Sequence, residues 1–492
     1  MNATPLASGL AKYAWTEIDR VEPMVRPAAD RVGDFLGTTA PYDETTAREQ
    51  ARRCIQCPNP TCVTSCPLDC PIPELLAHIA DGQFKEAAEL LFCTHQIPEI
   101  ASHVCVGGRV CEQACILADK TYSVPIRALT RFLLDYGWKH GLVEPALAPV
   151  LNQTIAVIGS GIGGLVAADA LSRKGYRVTV FDSRQKPGGR MMNGLPGFRT
   201  DRELVERRIG LLKLRGIDFR MGVNFGHDVK LSDLRKEFNA VFLGFGTADP
   251  VPLDVPGAEL HGVYQAFSFI VRNVPPACAT AGSSCCPTAN AAEADPPVNV
   301  KGKRVVVLGG GDTAIDVLRT AIRDGAADVL CLYRRDEASM PADVEEYAKA
   351  QEEGARFMFQ TQPLAVLGSA AGVVTHVRCI PTEPAEPDNN GRPTFHPVVA
   401  AAEFNIATDV VFVAYGFTAP RPPDSDDFAR LATNEHGHLQ LDANQMTNFP
   451  GVFAGGSIAR GPVPLVQVVR DARKATAAID QYLAALRSQA AP

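Results

Sequence analysis

Two stretches of the chain share one hydrophobic pattern. Each has a short unbroken apolar run, a glycine-rich turn, then apolar positions three and four apart. Residues 154–164 read TIAVIGSGIGG and are followed by LVAADALSRKG and a second apolar run, YRVTVFD. Unbroken apolar runs suit strands buried on both faces, and the alanine-rich stretch suits a helix. The pattern therefore predicts strand–turn–helix–strand. Residues 304–314, RVVVLGGGDTA, repeat the unit, with IDVLRTAIRDG as helix and DVLCLYRR as second strand. A third segment, GVFAGGS at 451–457, precedes PLVQVVRDARKATAAIDQYLAAL, which predicts an amphipathic helix. Upstream, LLAHIADGQFKEAAELLF and ALTRFLLDYGW carry helical periodicity.

The chain's 492 residues allow about three domains. Hydrophobic residues at 46% and charged residues at 21% are ordinary for a globular protein and exclude a mainly disordered or collagen-like chain. A formal charge of −7 gives no general attraction to nucleic acid or anionic lipid. There is no run of about 18 apolar residues to span a membrane. The opening MNATPLASGLAKYAW lacks the basic and apolar regions of a secretory signal. The expected location is cytoplasmic.

The cysteines change the picture. Nine of 14 lie between Cys54 and Cys115, in the runs Cys54-x2-Cys57-x4-Cys62-x3-Cys66 and Cys105-x5-Cys111-x3-Cys115. In a reducing compartment such a block points to metal or cluster ligation before disulfides. Seven cysteines exceed one four-ligand site, so two sites are expected, each borrowing from both runs. Iron–sulfur clusters suit soft thiolates on short loops, and structural zinc is the alternative. Cys70 and Cys93 fall outside the pattern and read as packed thiols. His95 and His103, near the runs, read as core or surface histidines.

In the first glycine unit, Gly159-x-Gly161-x-x-Gly164 allows a tight turn and brings backbone amides close to a pyrophosphate at a helix start. Asp182 closes the next strand, where a carboxylate suits an unmodified ribose. The second unit has Gly309-x-Gly311-x-x-Ala314, and its next strand ends in Arg334 and Arg335. Guanidinium groups there suit a 2′-phosphate. The first unit is thus assigned to FAD and the second to NADPH. Hydride transfer between them needs orientation and no protein nucleophile, so no catalytic residue is named.

Taken in order, CIQCPNPTCVTSCP, VCVGGRVCEQAC, AVIGSGIGG, KPGGRMMNGLPGFR, KGKRVVVLGGGDTAIDVLRTA, LYRRDEASMPA and GVFAGGS resemble the small (beta) subunit of bacterial NADPH-dependent glutamate synthase. The wider group includes the electron-input half of dihydropyrimidine dehydrogenase. The resemblance covers roughly residues 40–485. It implies two [4Fe-4S] clusters, one FAD and one NADPH site. By motif match, one cluster is held by Cys54, Cys57, Cys62 and Cys115, the other by Cys66, Cys105 and Cys111. The family's fourth ligand to the latter is a Glu or Gln. Here the matching phrase is Leu129-Thr130-Arg131-Phe132, and Thr130 is a poor ligand; a water, Cys70 or another nearby group is left open. The resemblance further implies FAD contacts at Gly188, Gly189, Arg190, Gly456 and Ser457, where relatives usually carry Asp in place of Ser457. NADPH contacts are implied at Asp312 and Thr313.

The expected fold is α/β, two Rossmann-like nucleotide-binding domains, one inserted in the other, preceded by a helical iron–sulfur domain. Residues 1–40 form an arm and 41–149 the cluster domain. Residues 150–254 with 419–492 form the FAD domain, and 255–418 the NADPH domain. Within the last, 275–299 is rich in Pro, Ala and Ser and reads as a flexible insertion, with Cys278, Cys285 and Cys286 as exposed loop thiols. The expected function is NADPH-oxidising electron input to a large glutamate synthase subunit. The alternatives are the same module serving ferredoxin or another dehydrogenase, or a degenerate structural subunit.

Overall fold

A computed structural model describes residues 14–105, 110–143, 147–246, 250–273, 296–387, 393–418 and 426–490. The expected insertion at 275–299 falls almost wholly outside these residues, as do Cys278, Cys285 and Cys286.

The amino-terminal part is helical: α1 (Ala28–Arg31), α2 (Glu44–Ala51), α3 (Thr61–Ser65), α4 (Ile72–Ala80), α5 (Phe84–Thr94), α6 (Pro98–Val104) and α7 (Ile126–Lys139). Leu76, Ile79, Leu91, Phe92, Leu129 and Leu133 share one buried cluster there. The long periodic stretch ending at Phe92 is two helices. Gly82, at φ +75°, stops α4 in a left-handed conformation that glycine adopts without Cβ strain. The described part of the arm is tied down: Arg31 is buried and pairs with Glu353 at 3.5 Å, far along the chain.

Next come β1 (Thr154–Ile158), α8 (Ile162–Arg173), β2 (Arg177–Asp182), α9 (Arg190–Asn193), α10 (Arg202–Leu214), β3 (Asp218–Met221), α11 (Leu231–Glu237) and β4 (Ala240–Leu243). Then follow β5 (Val263–Gln265), α12 (Ala266–Asn273), β6 (Arg304–Leu308), α13 (Asp312–Arg323), β7 (Asp328–Leu332), α14 (Val344–Glu352) and β8 (Arg356–Met358). Strands β9 (Thr361–Gly368), β10 (Val374–Ala385), β11 (Thr394–Pro397), β12 (Phe404–Ala407) and β13 (Val410–Val413) lead to β14 (Val452–Ala454), α15 (Ser457–Arg460) and α16 (Leu465–Ala490).

These strands make two five-stranded parallel sheets, ordered β14-β4-β1-β2-β3 and β5-β13-β6-β7-β8. Strand β14 returns to pair with β4 after the whole second sheet has been made. The two chain crossings between the sheets touch, Val251 N–H donating to Gly416 O at 3.0 Å.

A four-stranded antiparallel sheet, β9 to β12, is the one unexpected layer. It exists because strand side chains alternate faces. Val305, Val307, Val329 and Phe412 pack toward the helices, while Val306, Leu308, Leu330 and Val413 pack with Val366, Val374 and Val377 of the extra sheet. The apolar runs of β6, β7 and β13 are unbroken because both faces are covered. No helix among the described residues is long and apolar enough to cross a membrane.

Candidate functional site

Three glycine turns meet at the carboxyl ends of adjacent strands β14, β4 and β1. Gly159, φ +95°, ends β1, and a Cβ there would stand 3.0 Å from the Gly244 backbone after β4. A Cβ on Gly164 would stand 1.8 Å from Gly159 O, so α8 packs backbone against backbone on the turn. Gly161, the N-cap of α8, differs: a Cβ there meets nothing within 4 Å. Open space before a helix start, where amide dipoles point outward, fits a dinucleotide pyrophosphate.

Gly188 and Gly189, at φ +113° and +55°, fold onto the same turn. Gly188 N–H donates to Ser160 O at 3.0 Å, and a Cβ on Gly189 would lie 2.8 Å from Gly161 Cα. The buried Asp182 carboxylate accepts from the Ser160 N–H and hydroxyl, both at 2.7 Å, and from Arg184 N–H at 2.9 Å. It therefore fixes the turn as well as standing at the expected ribose position. Arg190 stacks 3.8 Å from the Phe417 ring and 4.8 Å from Phe267, and burial draws its pKa down to about 10. Gly456, φ +82°, follows β14, and Ser457 opens the four-residue α15. The helix expected over PLVQVVRDARKATAAIDQYLAAL is α16, from Leu465, and the short α15, ending at Gly461, φ +78°, is an addition before it.

The second sheet repeats the geometry. A Cβ on Gly309, φ +130°, would lie 2.4 Å from Ala414 O, while one on Gly311, the N-cap of α13, meets nothing within 4 Å. Ala314 is fully buried on the first turn, and Thr313 is half-buried. Asp312 Oδ1 accepts from Asp343 N–H at 2.9 Å, tying the turn to the start of α14. Arg334 is exposed and Arg335 half-buried directly after β7. Neither pairs with a carboxylate among the described residues, which suits recognition of a phosphate.

The cysteines line two cavities. Cys54, Cys57, Cys62 and Cys115 surround one; Cys66, Cys70, Cys105 and Cys111 surround the other, with Thr130 in its wall. None of the described cysteines forms a disulfide. Among the described residues, no three His, Cys, Asp or Glu side chains converge closely enough for a single metal ion. A core of four irons and four sulfides is bulkier than one ion, and its thiolates stand further apart. Burial, with neighbouring thiols adding to it, pushes Cys54 up to about 12 and Cys62 and Cys105 to about 11. A cationic core reverses that preference by binding the thiolate form. The donor set fits an iron–sulfur core. His95 is buried in the wall of the second cavity, and burial beside Arg473 and Arg173 draws its pKa down to about 4. His103 Nδ1 contacts Glu99 O at 2.7 Å.

Residues 31–142 match the family described as dihydropyrimidine dehydrogenase domain II, 4Fe-4S cluster, and residues 153–481 match the pyridine nucleotide-disulphide oxidoreductases. The Escherichia coli K12 glutamate synthase [NADPH] small chain is 35% identical over 479 residues, 96% of this chain and 98% of that one. The chain belongs to the glutamate synthase small-chain family. It is an NADPH-dependent FAD oxidoreductase with an iron–sulfur domain. The oxidoreductase UacF of Escherichia coli K12 is 36% identical over 462 residues, covering 91% of this chain and 69% of that longer one. Mycobacterium tuberculosis FprA, solved in complex with NADPH, shares the fold at a TM-score of 0.55 and 18% identity, over 70% of this chain and 86% of that one.

Sequence patterns missed what joins the parts of this small chain. Arg199, in the phrase after Gly197-Phe198, lies buried against the second sheet's helices, 3.4 Å from both Asp316 and Glu346 and 3.8 Å from Asp312. Arg319 and Arg323 pair with Glu353, each at 2.7 Å, and stack on Phe198 at 4.2 and 4.3 Å. Arg127, in the wall of the second cysteine cavity, pairs with Asp343 at 3.6 Å and with Glu345. The one signal was local: Asp316 and Arg319 sit on faces of α13 that are buried, where charges need partners.

Proposed function

We propose that the chain is the NADPH-oxidising electron-input subunit of a glutamate synthase. It would pass electrons through FAD and two [4Fe-4S] clusters to a large subunit that makes glutamate from glutamine and 2-oxoglutarate. Gly159, Gly161, Gly164, Asp182, Gly188, Gly189, Arg190, Gly456 and Ser457 would hold FAD, within the unit 150–254 and 419–492. Gly309, Gly311, Asp312, Thr313, Ala314, Arg334 and Arg335 would hold NADPH, within 255–418. Cys54, Cys57, Cys62 and Cys115 would hold one cluster and Cys66, Cys105 and Cys111 the other, within 41–149. Bound FAD supplies the exchange between two-electron and one-electron chemistry, and the clusters supply single-electron carriage.

One juxtaposition carries this reading. Helix α16 packs on the Gly456–Ser457 turn, where a Cβ on Gly456 would stand 2.9 Å from Val468 Cγ1, and its Val466 lines the cavity of Cys66, Cys105 and Cys111. Further along the same helix, Arg473 donates to Leu68 O at 2.8 Å, fixing the cluster loop to the FAD-side sheet. The turn proposed for the flavin and the cavity proposed for a cluster are thus both walled by α16. The chain's residues need only orient the two nucleotides and hold this spacing. A cytoplasmic location accords with thiol ligands that an oxidising compartment would convert to disulfides.

Anaerobic purification with any bound companion tests the proposal. The expected companion is a large subunit that restores glutamine-dependent NADPH oxidation. Turnover restored by ferredoxin alone would sink it and favour the second reading, the same module serving another acceptor. The longer UacF supports that second reading, because it joins a similar module to additional sequence.

A further inference from the structure

We propose that Cys70 is the fourth thiolate ligand of the second [4Fe-4S] cluster, replacing the carboxylate or amide that relatives place at position 130. This rests on the reading that a cluster occupies the cavity of Cys66, Cys105 and Cys111. Cys70 lies in the wall of that cavity and is only 8% exposed.

The local backbone is built to return Cys70 to the site. Cys66 ends α3 in an extended conformation, and Asp69 N–H donates back to Cys66 O at 3.1 Å. Asp69 itself sits at φ +50°, a left-handed conformation that costs energy for a residue with a Cβ. The turn brings the fourth residue after Cys66 to the same cavity. Cys66, Cys70, Cys105 and Cys111 thus line one cavity.

The other polar groups in the wall fit less well. The Thr130 hydroxyl donates to Ile126 O at 2.9 Å, one turn back on its own helix. The Ser102 hydroxyl donates to Glu99 O at 3.2 Å. Arg127 is a cation and cannot ligate iron. On binding, the Cys70 S–H gives its proton to solvent as the Fe–S bond forms. The negative charge gained lies near Arg473, which also acts on Cys70.

Iron and sulfide analysis per FAD, with Mössbauer and EPR spectra, tests this on the whole reconstituted chain. The wild type is expected to hold about eight irons, all in sulfur surroundings. Cys70→Ala is expected to lose at least one iron per chain and show a three-iron signal, with the other cluster's spectrum unchanged. Cys70→Ser keeps the turn, and is expected to retain iron with one oxygen-ligated site. Thr130→Ala is expected to change neither. Wild-type iron and spectra in both Cys70 variants would overturn the Cys70 assignment alone. About four irons in the wild type would overturn the two-cluster reading together with it.

Discussion

Glu99 and Arg208 form a fully buried, two-point ion pair between α6 of the helical part and α10 beside the first sheet. Arg208 Nη2 donates to Glu99 Oε2 at 3.0 Å, and its Nε bonds the other oxygen. Removing one partner strands the other charge away from water, at a cost of about 3–5 kcal/mol. Glu99→Ala and Arg208→Ala should each lower the urea midpoint of the holoprotein markedly. Glu99→Leu combined with Arg208→Met should lose much less. A double variant as unstable as either single one would show that packing, and not stranded charge, sets the cost.

Gly161 and Gly164 should separate binding from folding. A methyl at Gly161 enters open space and should leave the apoprotein's Tm unchanged while flavin content falls at least tenfold. A methyl at Gly164 collides with the Gly159 carbonyl. Overpacking costs about 1–3 kcal/mol or more, so Gly164→Ala should lower Tm even without flavin. Equal flavin retention in Gly161→Ala and the wild type would remove the pyrophosphate from that space.

Arg334→Ala with Arg335→Ala should raise KM for NADPH far more than for NADH. A charge-assisted bond contributes about 1.5–3 kcal/mol, so each lost arginine should weaken NADPH by roughly tenfold to hundredfold. Steady-state kinetics with both nucleotides decides it. Equal losses would end the 2′-phosphate assignment.

Acid should loosen the contact between the two nucleotide units. Burial alone would raise the Glu346 pKa, but Arg199, Lys349 and Arg319 outweigh it and draw it from 4.5 down to about 2. A carboxyl held below its unfolded value stabilises above that value and loses the contribution as protons bind. Stability should therefore fall between about pH 4.5 and 2, and Glu346→Gln should flatten that part of the curve. Urea midpoints across this range provide the check, and an unchanged slope in the variant would refute it.

The two glycine units were legible because a tight turn between an apolar run and a helix leaves a fixed spacing in the sequence. The cavities follow the cysteine spacing for a similar reason. The antiparallel sheet was not legible, because β9 and β12 mix buried and half-buried positions and its stabilising contacts lie on the far face of β6, β7 and β13. Nor were the buried pairs of Arg199, Arg208 and Arg319, since a lone arginine in a sequence looks the same on a surface as inside. The break at Gly82 was missed because apolar periodicity runs on through it.

The two cysteine cavities are threaded in an order with one consequence for biosynthesis. The chain supplies three cysteines of the first, then Cys66 and Cys70 of the second, and completes the second's cysteines at Cys111 before Cys115 completes the first's. A nascent chain emerging from the ribosome has no completed thiol pocket until residues 111 to 115 are out. On the proposed cluster assignment, iron and sulfide delivered earlier would meet incomplete thiol sets, and a chain cut short before Cys111 would complete neither.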